Sequence, residues 1–98
     1  MSILTILLIY KGLFVFGLYI AFTYYYNYAH ELTHARVYEN NNIKYKMKVG
    51  LGQSYCDGES ETPETIRDHN LIEAIGYHLR VFLDFLFGVF AICFMYYN

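Results

Sequence analysis

Two apolar stretches, Ile3 to Ala29 and Leu71 to Tyr97, make up more than half of this 98-residue chain and enclose a polar middle. Each is long enough to cross about 30 Å of hydrocarbon as a helix of some 20 residues. A single domain of this length has no use for so much apolar sequence in a water-soluble core, and hydrophobic residues at 56% exceed the ordinary share. The pattern therefore predicts a mainly α membrane protein: one domain over residues 1–98, with two long antiparallel transmembrane helices joined by a polar loop. The first stretch reads as a span rather than a signal peptide. It lacks a basic start, exceeds the usual apolar length, and has no small-residue cleavage site before Tyr24-Tyr25-Tyr26.

Net charge and cysteines narrow the function. A formal charge of −2, with no basic arm or arginine-rich helix, excludes nucleic acid as a partner. Cys93 lies deep in the second apolar stretch and Cys56 in the polar middle, so no disulfide is expected between them.

The first helix is predicted over about residues 2–40, because neither glycine nor proline interrupts the chain between Ala21 and Asn40. Lys11 is expected to snorkel to an interface, and Tyr19, Tyr24, Tyr25, Tyr26 and Tyr28 form an aromatic belt of headgroup depth. Asn40-Asn41-Asn42 ends the helix, since asparagine tolerates the left-handed geometry found there. Ile43 to Val49 then alternates apolar residues with lysines, which is the mark of a strand with one covered and one charged face. Taken alone, it reads as an edge strand guarded by lysines, or as an edge that receives an extended peptide. Gly50-Leu51-Gly52 turns the chain, and Gln53 to Cys56 is a candidate partner strand, giving a β region of about 43–56. Residues 57–64 are acidic and read as a solvated loop. Thr62-Pro63 resembles an N-cap followed by a first-turn proline, opening a second helix over about 63–97.

The chemistry concentrates where the first apolar stretch meets the polar middle, at His30-Glu31-Leu32-Thr33-His34. On a helix, positions i and i+4 share a face, so both imidazoles of this H-E-x-x-H can reach one metal ion with Glu31 beside them to accept a proton from metal-activated water. A catalytic zinc site needs a third protein ligand. On the second helix His69, Glu73, Arg80 and Asp84 fall near one face. Arg80 and Asp84, four apart, can satisfy each other. With the helices antiparallel, Glu73 comes level with His30 and His34, whereas Asp84 lies about 16 Å deeper, near Tyr19 or Phe22. Glu73 is thus the favoured third ligand, with His69 and Asp84 as alternatives. His78 is expected to be a packed or hydrogen-bonded core histidine.

The segment from His30 to Gly52, HELTHARVYENNNIKYKMKVGLG, resembles the start of membrane-embedded zinc metalloproteases of the site-2 protease type. There H-E-x-x-H closes a transmembrane helix, a short gap leads into a β-strand, and glycines follow. Ala74-Ile75-Gly76-Tyr77 is similar to the small-residue helix start that comes next. The resemblance implies His30 and His34 as zinc ligands, Glu31 as general base, and a peptide or membrane-protein substrate. That family takes its third ligand from an L-D-G motif, and Leu83-Asp84-Phe85 matches its first two letters. Asn70-Leu71-Ile72-Glu73-Ala74 resembles instead the glutamate-bearing helix of the gluzincins, which implies Glu73.

The alternative is a non-catalytic two-span subunit of a membrane complex. Its support is that Gly76-Tyr77-His78-Leu79 followed by Asp84 resembles the haem-bearing helix of succinate dehydrogenase anchors. Five of the seven basic residues fall between residues 30 and 70, so the central loop is expected in the cytoplasm. A polar stripe on a two-helix unit also calls for a homodimer or a larger membrane complex to shield it from lipid.

Overall fold

The computed structural model describes residues 2–97. It is mainly helical, with α1 (Ile3–Asn40), β1 (Tyr45–Lys48), β2 (Tyr55–Gly58) and α2 (Pro63–Tyr96) in chain order. A 38-residue helix rises about 57 Å, and the molecule is correspondingly elongated at 61 × 21 × 16 Å. Both helices are long and apolar enough to cross a membrane.

Local chemistry sets the ends of each helix. Ser2 caps α1 by accepting from the Thr5 amide. At the other end Asn42 adopts φ 57°, the left-handed conformation expected of the asparagine run, and the Ile43 amide donates back to the Tyr38 carbonyl at 2.9 Å. Thr62 caps α2 in a reciprocal box. Its hydroxyl accepts from the Thr65 amide, the Thr65 hydroxyl accepts from the Thr62 amide, and Pro63 follows in the first turn.

The helices run antiparallel. Lys11 lies over Phe94, Tyr19 bonds Asp84, and His30 bonds Glu73. Their seam is aromatic, with Phe14 against Phe94 and Phe87 between Tyr19 and Phe22. Arg80 locks the register, donating to both carboxylate oxygens of Asp84 at 3.0 and 3.1 Å and to the hydroxyls of Tyr19 and Thr23. Its guanidinium also lies over the rings of Tyr19, Phe22 and Tyr26. Outside the seam the apolar side chains face outward: Ile3, Phe16, Phe82 and Phe85 are all exposed. Among the described residues, the side chains that are buried are Glu31, His34, Ala35, Tyr38 and Thr65, all at the polar end.

The hairpin packs over that end. β1 and β2 pair antiparallel, with Lys46 opposite Asp57 and Met47 opposite Cys56. Lys44, Lys46 and Lys48 are exposed while Ile43, Tyr45, Met47 and Val49 are half-buried, as the alternation predicts. Asn27 donates from α1 to the Gly50 carbonyl at 2.9 Å, so the hairpin folds back along the helix instead of extending away from it.

Three expectations are corrected. The partner strand lies at Tyr55–Gly58, not at residues 53–56, because Ser54 is used in closing the turn: its hydroxyl accepts from the Gly50 amide and donates to the Gly50 carbonyl. The acidic stretch 57–64 is not a free loop, since Asp57 and Gly58 are paired in β2, the Glu59 amide donates to the Lys44 carbonyl, and Pro63 and Glu64 belong to α2. A side chain at Gly58 would collide with the Tyr38 ring; glycine lets strand and helix meet there. His78 is exposed, not packed in a core, and sits edge-on to Tyr77 on the flank of α2.

Candidate metal centre

The unbroken helical run of α1 carries His30, His34 and Tyr38 at four-residue steps, so the three lie along one face, with Glu31 beside them. Opposite them α2 presents His69, Glu73 and Gly76. Gly76 lets the helices close up at this level. A Cβ there would stand 2.7 Å from Cε1 and 2.9 Å from Nδ1 of His30. The Tyr26 hydroxyl donates to the Gly76 carbonyl, and the Tyr26 ring stacks at 11° on His30, so that imidazole is held from two sides.

Glu73 Oε1 lies 3.1 Å from His30 Nε2 and 2.8 Å from His34 Nε2, and the two imidazole nitrogens are 3.3 Å apart. Two imidazole nitrogens and a carboxylate oxygen thus converge on one point. Ligands at about 2.05 Å from a tetrahedral zinc ion are separated by about 3.3 Å, so the triangle is that of three occupied corners with slight contraction at Glu73. His30, His34 and Glu73 can together hold a metal ion. The Glu73 side chain is 65% exposed, leaving its side of the site open.

Behind His34 the ring of His69 approaches Nδ1 to Nδ1 at 2.6 Å. His69 Nε2 is buried without a hydrogen-bond partner among the described residues and lies 4.0 Å from Glu61 Oε2. Glu61 is itself well anchored. Its carboxylate accepts from the Tyr38 hydroxyl and, at 2.7 Å, from the Thr65 hydroxyl. The Tyr38 bond is the main reason its carboxyl is held below the ordinary carboxylate range, against the opposing effect of burial.

A cleft of about 650 Å³ opens in front of these groups, between α1, α2 and the hairpin. Glu31 lines it, 6% exposed and engaged in no hydrogen bond among the described residues. The hairpin side of the cleft belongs to β2 and the turn before it, through Ser54, Tyr55, Cys56 and Asp57; among the described residues β1 adds none to the lining. Cys56 stands outside the three-donor group. Burial, with the Glu31 and Asp57 carboxylates nearby, pushes its thiol up to about 11 and keeps it protonated at neutral pH.

The residues expected from sequence thus divide. His30, His34 and Glu73 come together, Glu31 shares their cleft, and His69 contacts His34 from behind instead of joining the three donors. Asp84 is bound to Arg80 and Tyr19, away from the histidines. Tyr38 and Glu61 were not expected. Tyr38 carries a legible signal, one further helical step from His30 and His34. Glu61 carries none, because an acid in an acidic segment looks solvated until the fold places Tyr38 above it.

Comparison with protein-family models, with curated proteins and with solved structures gave no match.

Proposed function

We propose that this chain is a small membrane-embedded zinc metallopeptidase, with His30, His34 and Glu73 as metal ligands and Glu31 as general base. The observation that carries this reading is the convergence of three neutral or anionic donors at near-tetrahedral spacing beside a buried, unbonded carboxylate. When bound, zinc lowers the pKa of a coordinated water and polarises the substrate carbonyl. Glu31 takes the proton released from that water and delivers it to the leaving amine. The lining of the cleft by Tyr55, Cys56 and Asp57, with no third strand beside β2 among the described residues, supports β2 and not the lysine-bearing strand as the edge that takes an extended peptide. Two helices whose apolar faces point outward support insertion in the bilayer, with the site at its surface. The five basic residues between 30 and 70 support a cytoplasmic location for the hairpin. A second copy packed on the open flank would cover the exposed carboxylate of Glu73.

Metal analysis of the purified full chain tests the reading, with one equivalent of zinc expected. Glu31→Gln should retain that zinc and lower peptide hydrolysis by at least about 10²-fold. Wild-type protein without zinc would overturn the proposal.

A further inference from the structure

The contact between His34 Nδ1 and His69 Nδ1, at 2.6 Å, requires one proton between the two nitrogens, and its direction decides what His34 can do with Nε2. Were His69 the donor, its Nε2 would be a bare lone pair, buried, facing the Glu61 carboxylate at 4.0 Å. A lone pair would then face an anion with no proton between them, on a nitrogen that is itself shut off from solvent. With His34 as donor, His69 carries its proton on Nε2, and that N–H points its positive end at Glu61. The ionised state of Glu61 is secured from the far side, by the hydroxyls of Tyr38 and Thr65.

We infer that Glu61 and His69 form a positioning chain behind His34, in which Glu61 fixes His69 as the Nε2–H tautomer so that its Nδ1 accepts the Nδ1–H of His34. His34 then keeps its proton away from the cleft, and Nε2 faces His30 and Glu73 as a donor to a cation. His69 and Glu61 are positioning residues. Neither reaches the three-donor group. The chain rests on the proposed zinc site: His34 Nε2 lies 2.8 Å from Glu73 Oε1, so its lone pair is free of a proton only when a cation is held between them.

The test has two arms on the full chain in detergent micelles. In the first, long-range proton–nitrogen correlation on zinc-loaded protein with ¹⁵N-labelled histidine reads the tautomer of His69. The chain requires Nε2–H in the wild type and loss of that preference in Glu61→Gln, whose amide can donate to His69. A wild-type His69 protonated on Nδ1 overturns it. In the second, competition against a chromophoric chelator gives the zinc affinity, and cobalt substitution gives the visible spectrum of the site. His69→Leu should weaken zinc binding by about 10–100-fold and shift the cobalt bands. His69→Asn, which places Oδ1 where Nδ1 stood, should recover most of that loss. Equal weakening by leucine and asparagine would reduce His69 to packing and overturn the chain. A wild type that binds no zinc would overturn the metallopeptidase reading and the chain with it, whereas one that binds zinc with His69 protonated on Nδ1 would overturn the chain alone.

Discussion

The helix pair carries two polar clusters, and they are built on opposite principles. The one around Arg80 is closed: one cation meets one anion, Nε donates to both Asp84 oxygens, and Nη2 donates to the hydroxyls of Tyr19 and Thr23, with three rings beside the guanidinium. The one around His34 is open. Two imidazoles and a glutamate converge, three further carboxylates (Glu31, Asp57 and Glu61) line the same cleft, and among the described residues no lysine or arginine lines it. A balanced cluster in an apolar setting fixes the register of two helices and needs nothing more, whereas an unbalanced one of converging acceptors invites a cation. Polarity alone would have marked both clusters as sites. Charge balance separates them.

The largest effect that tests this contrast is on metal affinity. Structural zinc sites bind with an apparent 10–16 kcal/mol shared among their ligands, so His34→Ala should weaken zinc binding by roughly 10²–10³-fold. Asp84→Asn, in the closed cluster, should change it by less than about twofold. Chelator competition on both variants decides the matter, and a comparable loss in Asp84→Asn would mean that the two clusters act as one.

Stability should show the reverse. Arg80→Leu leaves Asp84 between the helices without its cation and with only the Tyr19 hydroxyl as donor, and should destabilise the helix pair by about 3 kcal/mol, while replacing both residues by leucine should restore most of the loss. Unfolding in mixed micelles measures both. If the double variant is as unstable as the single one, Arg80 holds the register through its aromatic and hydroxyl contacts rather than through Asp84.

Glycines sharpen the comparison at closer range. Gly76→Ala drives a methyl group against the His30 ring and should cost about 1–3 kcal/mol, together with a measurable fall in zinc affinity. Gly17 and Gly88, further along the same helices, have nothing within 4 Å of an added Cβ. Alanine at either should leave zinc binding unchanged and stabilise its helix by up to about 1 kcal/mol. Thermal melts and zinc titrations of the three variants separate a packing requirement at the site from an intrinsic helix effect.

How far the sequence could be read follows the same division. The two helices, their caps at Thr62 and the asparagine run, and the pairing of Arg80 with Asp84 were legible, because each depends on neighbours within four residues or on the length of an apolar run. Glu73 was legible through registry, since antiparallel helices of known rise leave little freedom in depth. The hairpin was legible as alternation and not as register. Its partner strand was displaced by the Ser54 turn, which no alternation marks, and by the fit of Gly58 under Tyr38, a contact between residues 20 apart. The Glu61–His69–His34 arrangement depends on where the β2 exit sets Glu61 against α1, and no local pattern encodes that.

The smallest predicted effect concerns Glu61 and pH. Its folded carboxyl is held below its ordinary value of 4.5, chiefly by the Tyr38 hydroxyl, so the unfolded chain binds the proton more readily than the folded one. The stability this contributes is present in full above the unfolded value and is lost as pH falls through the lower folded value. On acidification, Tyr38 should therefore lose its charged acceptor, and the hairpin should loosen from α1 before the helices separate. Tyrosine near-ultraviolet circular dichroism follows that step, with far-ultraviolet signal as the control for helix content. Glu61→Gln should abolish the acid transition while keeping the helices, because glutamine can still accept from Tyr38 but has no proton to take up. The same transition in the variant would assign it to another carboxylate in the cleft, with Glu31 and Asp57 the next to replace.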